Sequence, residues 1–234
     1  MGTLLLPGIR AEFSSGGTEV PLVFVSGGRP PALSWMKTFF PEKELWCVDS
    51  GVVPCLEAGF LPSRLIGDGD STPPEIWERA SREGVRIERF PRDKDRTDLQ
   101  LAFHRAGKEN SERSAVVTGC WGGRFDHLWS GIYSLFWARE KGVRILAFAD
   151  EREVLFPLEG GGELELAMDE TEVKNLSLLP LGGDCTGVTI RGVQWELEEV
   201  ELLQGRPFAV SNRILKGKTP RISLKTGTLG VYCG

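Results

Sequence analysis

Three segments of this chain combine carboxylates, glycines and basic side chains in ways that suit the handling of phosphate. In Leu65-Ile66-Gly67-Asp68-Gly69-Asp70-Ser71-Thr72, two carboxylates follow directly on a short apolar run, in a turn kept open by Gly67 and Gly69. Such a loop fits an oxygen-ligand site for Mg²⁺, which takes one or two carboxylates and completes its shell with water and substrate phosphate. It also fits a solvated turn of Asp and Gly. An EF-hand calcium loop is excluded, because it needs Gly at its sixth position and Glu at its twelfth; counting from Asp68, those places hold Pro73 and Arg79. The second segment, Pro91-Arg92-Asp93-Lys94-Asp95-Arg96-Thr97-Asp98, is a charge run from which Asp98 stands out by its position in the fold. In the third, Thr118-Gly119-Cys120-Trp121-Gly122-Gly123-Arg124-Phe125-Asp126-His127, glycines let backbone amides approach an anion, and Arg124 can grip phosphate bidentately. No P-loop is present: Gly217-Lys218-Thr219 imitates its tail, but Asn212 fills the place of the first glycine and Pro220 forbids a continuing helix.

The acidic groups gain force in combination. Were Asp68, Asp70, Asp98 and Asp126 to share one cleft, each pair at about 5 Å would repel by roughly 3 kcal/mol at an effective dielectric near 20. Several such terms together rival the whole stability of a domain. A divalent cation, with Arg124 nearby, relieves them. Raised carboxyl pKa values would do the same without explaining the glycine-rich anion loop.

Holding these segments together requires a scaffold. From residue 21 to 149, β-rich runs at 22–26, 45–49, 64–66, 85–89, 115–118 and 143–149 alternate with helical stretches at 31–38, 52–58, 74–82, 98–106 and 127–139. This is the pattern of βα units around a mainly parallel sheet. Thr97 and Gln100 predict a capping box for the fourth helix, Leu99, Ala102, Phe103 and Ala106 share its apolar face, and Gly107 is expected to end it. Asp98 then falls at the first helical position, on the edge where open α/β sheets bind ligands. From 150 to 234, short runs at 163–168, 173–179, 187–195, 208–211, 221–224 and 229–233 are separated by Gly, Pro and Asp. They predict a smaller all-β domain, a sandwich or partly closed barrel. Residues 1–20 stay unassigned, with 14–17 read as a turn.

Composition narrows the partners. The 234 residues, 41% hydrophobic and 26% charged, match ordinary globular proteins. A net charge of −5 argues against nucleic acid, whose binders carry a basic face. The apolar run 4–6 stops at Pro7, far short of a signal peptide or a membrane span, so no membrane partner and a cytoplasmic location are expected. Five cysteines without a Cys-x-x-Cys pair read as reduced, mostly buried thiols, and with only two histidines any metal must be held by oxygen.

Taken in order, Gly67-Asp68-Gly69-Asp70-Ser71, Lys94-Asp95-Arg96-Thr97-Asp98 and Gly122-Gly123-Arg124-Phe125-Asp126-His127 resemble the thiamine pyrophosphokinase family. The resemblance extends upstream to Val48-Asp49-Ser50-Gly51. Downstream it takes in Leu178-Leu179-Pro180-Leu181, Gly192-Val193-Gln194-Trp195-Glu196-Leu197 and Ser211-Asn212, and it covers roughly residues 21 to 232. It implies a Mg²⁺-dependent homodimer that moves the β,γ-diphosphate of ATP to thiamine, with a nucleotide-binding α/β domain and a β-rich domain for thiamine binding and dimerisation. By the same resemblance Asp68, Asp70, Asp98 and Asp126 hold the metal and position the diphosphate, and Arg124 stabilises transferred charge. Gly27, Gly28, Asp49, Ser71, Gly122 and Gly123 serve the nucleotide, with Thr97 and His127 at its edge. Trp195, Ser211 and Asn212 stand on the thiamine side, where an indole face suits a cationic ring. Gly69, Gly131 and Arg213 depart from the family's usual aromatic, Asn and acidic residues.

Two rival readings use the same residues. Asp68-Gly69-Asp70-Ser71-Thr72 also resembles the Asp-x-Asp-x-Thr start of haloacid-dehalogenase phosphatases, which work through an aspartyl-phosphate. That motif belongs on a first core strand, whereas here it follows the third predicted strand. A non-catalytic ATP-sensing module would bind nucleotide without turnover. Trp35, Trp46, Trp77, Trp121, Trp129 and Trp137 are read as packing residues, with Trp121 the candidate exception.

Overall fold

The computed structural model describes residues 1–15, 20–110, 112–169 and 175–234. Residues 16 and 17 of the expected turn, and 173 and 174 of the expected strand 173–179, lie outside the described residues. The chain divides into two compact units, Val20–Glu151 and a second assembled from Met1–Glu19 with Arg152–Gly234. The β-rich unit therefore begins with residues that the sequence leaves unassigned: β1 (Gly2–Leu6) and β2 (Ile9–Phe13) form an antiparallel hairpin.

The α/β unit follows as β3 (Leu22–Val25), α1 (Leu33–Phe39), β4 (Leu45–Val48), α2 (Val52–Glu57), β5 (Arg64–Gly67), α3 (Pro74–Arg82), β6 (Arg86–Arg89), α4 (Asp98–Glu109), β7 (Arg113–Thr118), α5 (Phe125–Glu140) and β8 (Val143–Ala149). Its strands pair in the order β8-β7-β3-β4-β5-β6, all in parallel. Every residue of β3, β4 and β5 is buried, which explains why these strands read as continuous apolar runs rather than alternating ones. Chain order runs outward to both sides from β3, so the loops after β3 and β7 flank the switch point where such sheets take ligands.

Helix α4 is fixed over this sheet by Phe103, whose ring meets Phe24 of β3 edge-on at 5.0 Å, and Phe24 in turn meets Trp46 of β4 at 5.9 Å. Each fully buried aromatic of this kind is worth about 1.5–3 kcal/mol of transfer free energy. Gly107 does not end α4, as the sequence suggests; the helix runs on to Glu109 with Asn110 as its C-cap. The glycine is there for proximity, because a Cβ on it would fall 1.9 Å from the carbonyl oxygen of Lys141.

The β-rich unit adds β9 (Val154–Glu159), β10 (Glu163–Met168), β11 (Asn175–Pro180), β12 (Cys185–Arg191), β13 (Leu197–Leu202), β14 (Asn212–Arg213), β15 (Arg221–Ser223) and β16 (Thr228–Cys233). One sheet has the order β1-β2-β10-β15-β12-β13, and β14-β11-β16-β9 follow one another antiparallel. Phe13 of β2 meets Phe156 of β9 edge-on at 6.3 Å, joining the two layers of a sandwich. Among the described residues the first sheet ends in β1 and β13 and does not close into a barrel. Strand β12 stops at Arg191, four residues before the expected end, because Gly192 turns the chain at φ +80°. Residues 208–211 form no strand. Among the described residues no helix is long and apolar enough to cross a membrane.

Candidate active site

Asp49, Asp68 and Asp98 each offer a carboxylate oxygen, and the three atoms lie within 4.8 Å of one another. They come from three separate places: the end of β4, the end of β5 and the first residue of α4. Asp49 opens a 3₁₀ turn, Asp49–Gly51, with φ +46°, a conformation that costs a non-glycine residue about 1–2 kcal/mol. Its Oδ1 accepts a hydrogen bond from the backbone N–H of Asp68 at 3.1 Å. Thr97 caps α4 as predicted, its side chain accepting from Gln100 N while Gln100 Oε1 accepts from Thr97 N. That reciprocal cap holds Asp98 at the helix start.

The electrostatics of this cluster are strained. Burial pushes the Asp49 carboxyl up to about 7, with Asp98 and then Asp68 adding to the rise. The Lys94 ammonium donates to Asp68 Oδ2 at 2.7 Å, lies 3.2 Å from Asp98 Oδ2, and holds Asp68 below the usual carboxylate range. Burial pulls Lys94 down, but Asp68 and Asp98 outweigh it and keep its pKa above the ordinary lysine value. Asp98 Oδ1 is buried with no hydrogen-bond partner among the described residues. An all-oxygen set with one such unsatisfied atom fits a hard divalent cation.

The four carboxylates expected to act together are not equally placed. Asp68 and Asp98 converge, and Asp49, which the family resemblance sets in the same cleft among the nucleotide contacts, completes their group. Asp70 donates its N–H to Asp68 Oδ1 at 3.0 Å and pairs its own carboxylate with Arg92 at 3.3 Å. Asp126 is paired with Arg124 through two hydrogen bonds, Nη2 to Oδ2 at 2.6 Å and Nε to Oδ1 at 3.1 Å, both side chains exposed. Arg124 holds Asp126 below its ordinary pKa. His127 is exposed at the start of α5, its N–H donating to Asp126 Oδ1. Ser71 is exposed beside the acidic loop, and Thr97 is exposed at the head of α4.

The two glycine loops lie side by side. Ser26 N, Gly28 N and Arg29 N donate to the carbonyls of Thr118, Gly119 and Trp121 at 2.8, 2.6 and 2.6 Å, extending the β3 and β7 pairing past the strand ends. A Cβ on Gly28 would stand 2.7 Å from Gly119 O, and one on Gly27 would stand 2.1 Å from Ser50 Oγ. Gly122 and Gly123 both have φ near +67° or +66° and are exposed. Behind these loops Arg29 donates to the fully buried carboxylate of Asp150 at 2.6 Å.

In the β-rich unit Trp195, Ser211 and Asn212 come together. Asn212 is buried and acts as a clamp: its Oδ1 accepts from Trp195 N at 3.1 Å and its Nδ2 donates to Trp195 O at 2.7 Å. Trp195 itself is 54% exposed. Ser211 adopts φ +56° and donates its N–H to Ser177 Oγ.

Sequence reasoning did not single out Lys94, which lies in the loop before α4, where no helical spacing marks it. Trp129, read there as packing, is instead 54% exposed and stacks on Tyr133 with ring centroids 4.4 Å apart. Gly69 leaves room for the buried Trp77, whose ring carbon would be 3.3 Å from a Cβ at that position.

Two family descriptions match the chain: "Thiamin pyrophosphokinase, catalytic domain" over residues 37–147 and "Thiamin pyrophosphokinase, vitamin B1 binding domain" over residues 163–229. Together they take in more than half of its length. Thiamine pyrophosphokinase from Bacillus subtilis is 26% identical over 196 residues, which cover 83% of this chain and 89% of that protein. Thiamine pyrophosphokinase 1 from Oryza sativa subsp. japonica is 30% identical over 170 residues, 70% of this chain and 63% of the relative. The crystal structure of the Bacillus subtilis protein superposes with a TM-score of 0.79 at 23% identity, over 92% of this chain and 98% of that one, a likeness of fold.

Proposed function

The chain belongs to the thiamin pyrophosphokinase family, and from that premise we propose that it transfers the β,γ-diphosphate of ATP to the hydroxyl of thiamine, giving thiamine diphosphate and AMP. The observation that carries the chemistry is the convergence of Asp49, Asp68 and Asp98 within 4.8 Å at the ligand edge of the parallel sheet. In this reading Asp68 and Asp98, with Asp49, hold Mg²⁺, and Asp70 and Asp126 join once Arg92 and Arg124 turn to phosphate. Bound there, Mg²⁺ supplies charge neutralisation of the polyphosphate, so that a neutral alcohol can attack it.

The protein's own work is positioning, which is most of what phosphoryl-type transfer asks of an enzyme. The loops at Gly27-Gly28 and Gly122-Gly123 offer backbone to the nucleotide phosphates at the switch point, and Arg124 meets the charge on the transferred group. The alcohol oxygen bonds to the β-phosphorus while the bridge to the α-phosphate breaks and leaves with AMP; an aspartate of the cluster takes the alcohol's proton. Trp195, kept exposed by the Asn212 clamp, offers its face to the cationic ring of thiamine, with Ser211 beside it. The reading includes a homodimer in the cytoplasm, the latter supported by five scattered cysteines with no Cys-x-x-Cys pair.

The test is direct. With ATP, Mg²⁺ and thiamine, AMP and thiamine diphosphate should accumulate in equal amounts by chromatography, and light scattering should give twice the chain mass. Orthophosphate with a phosphorylated Asp68 would instead select the phosphatase reading. Nucleotide binding with no turnover would select the sensor.

A further inference from the structure

The three-carboxylate group already contains a cation. Lys94 lies 2.7 Å from Asp68 Oδ2 and 3.2 Å from Asp98 Oδ2, and the side chains of all three residues are at most 14% exposed. A divalent ion drawn to the same oxygens would meet the ammonium in the space it needs, and two like charges at that separation in a half-buried site are strongly unfavourable. Lysine suits a temporary occupant, since its charge rides on a flexible stem and binds as a point rather than as a fixed fork.

We propose that Lys94 is a resident counterion of the acidic cluster, holding Asp68 and Asp98 together in the metal-free protein and giving up its place when a divalent cation enters. This rests on the reading of Asp49, Asp68 and Asp98 as the metal's carboxylates. Three consequences follow. Metal-free protein is protected from mutual repulsion of its aspartates. Metal affinity is lowered, because every loading event must break the charge-assisted hydrogen bond to Asp68 and the ion pair with Asp98. Loading frees the Lys94 ammonium, which becomes accessible to solvent or to the substrate's phosphates.

The experiment uses Mn²⁺ as the probe, titrated by calorimetry into the full-length wild type, Lys94→Gln, Lys94→Arg and Asp98→Asn, with melting temperatures taken in chelator and in metal. Lys94→Gln should bind Mn²⁺ at least about tenfold more tightly than the wild type, melt lower in chelator and gain more on metal addition. Lys94→Arg, which keeps the charge and grips carboxylates with a fixed fork, should bind Mn²⁺ no more tightly than the wild type. Lysine acetylation of the wild type, read by mass spectrometry, needs no variant: Mn²⁺ should raise labelling of Lys94 relative to the other lysines. Equal or weaker binding by Lys94→Gln, or unchanged labelling of Lys94, overturns the proposal while leaving the metal site standing. Undiminished Mn²⁺ binding by Asp98→Asn would remove the metal site itself and the proposal with it.

Discussion

A Cβ atom on Gly67 would stand 1.8 Å from Oδ1 of Asp49. The glycine at the end of β5 is therefore a condition for the carboxylate at the end of β4 to reach the cluster. Replacing it with Ala forces Asp49 to swing away. Because small displacements of a positioning group cost about 10²-fold in rate, Gly67→Ala should lose about that much kcat while its far-ultraviolet circular dichroism stays that of the wild type. Normal turnover would detach Asp49 from the chemistry.

The carboxyl of Asp49 also governs how the metal-free protein responds to pH. Its folded pKa of about 7 exceeds the unfolded value of about 3.9, so between those two values the folded protein holds a proton that the unfolded chain has lost. Asp49 thus makes stability fall as pH rises through that window. Asp68, lowered by Lys94, acts in the opposite sense, its contribution being lost as pH falls. In chelator, Asp49→Asn should flatten the decline in melting temperature across the upper part of the window, and a slope identical to the wild type would contradict the assignment.

Asp98 and Asp70 separate position from charge. Asp98→Asn removes one oxygen of the converging group, and Asp70→Asn removes a carboxylate held outside it by Arg92. Both should reduce kcat by about 10²-fold or more if the site assembles around phosphate, with urea midpoints near that of the wild type. Full activity in both would end the proposed mechanism.

The cap of α4 can be weakened without touching the cluster's charge. Thr97→Ala removes one half of the reciprocal cap and should lower stability by about 1 kcal/mol in urea unfolding. Thr97→Ser should restore most of it.

On the other unit, Asn212→Ala breaks both bonds to the Trp195 backbone. Losing these part-buried hydrogen bonds costs about 0.5–1.5 kcal/mol each. The variant should raise the KM for thiamine and leave that for ATP unchanged; an equal rise in both would argue that Asn212 is structural alone.

What the sequence made legible follows from physics that is local. β3, β4 and β5 were readable as apolar runs, and the capping box fixed Asp98 because its signal spans four residues. Strands β9 and β13 were missed: Pro157 sits inside the first, and half of the second, Leu197–Leu202, is acidic. Gly107 misled because a close approach to Lys141, set by the tertiary fold, looks in sequence like a helix stop. The sequence ordered the carboxylates but could not rank them, since which three converge depends on how β4, β5 and α4 end in space. Lys94 and Arg92 escaped notice for the same reason.

The pairing of β2 with β10, in the register Phe13↔Leu164, makes the α/β unit an insertion within the β-rich one. Closing so long a loop delays that pairing. During synthesis the hairpin of β1 and β2 emerges well before β10 and must wait with an unpaired edge until β10 has left the ribosome, whereas residues 20–151 can collapse on their own. The two halves of the molecule should thus mature in the reverse of the order in which they begin, and a chaperone that shields an early strand edge would act on residues 9–13.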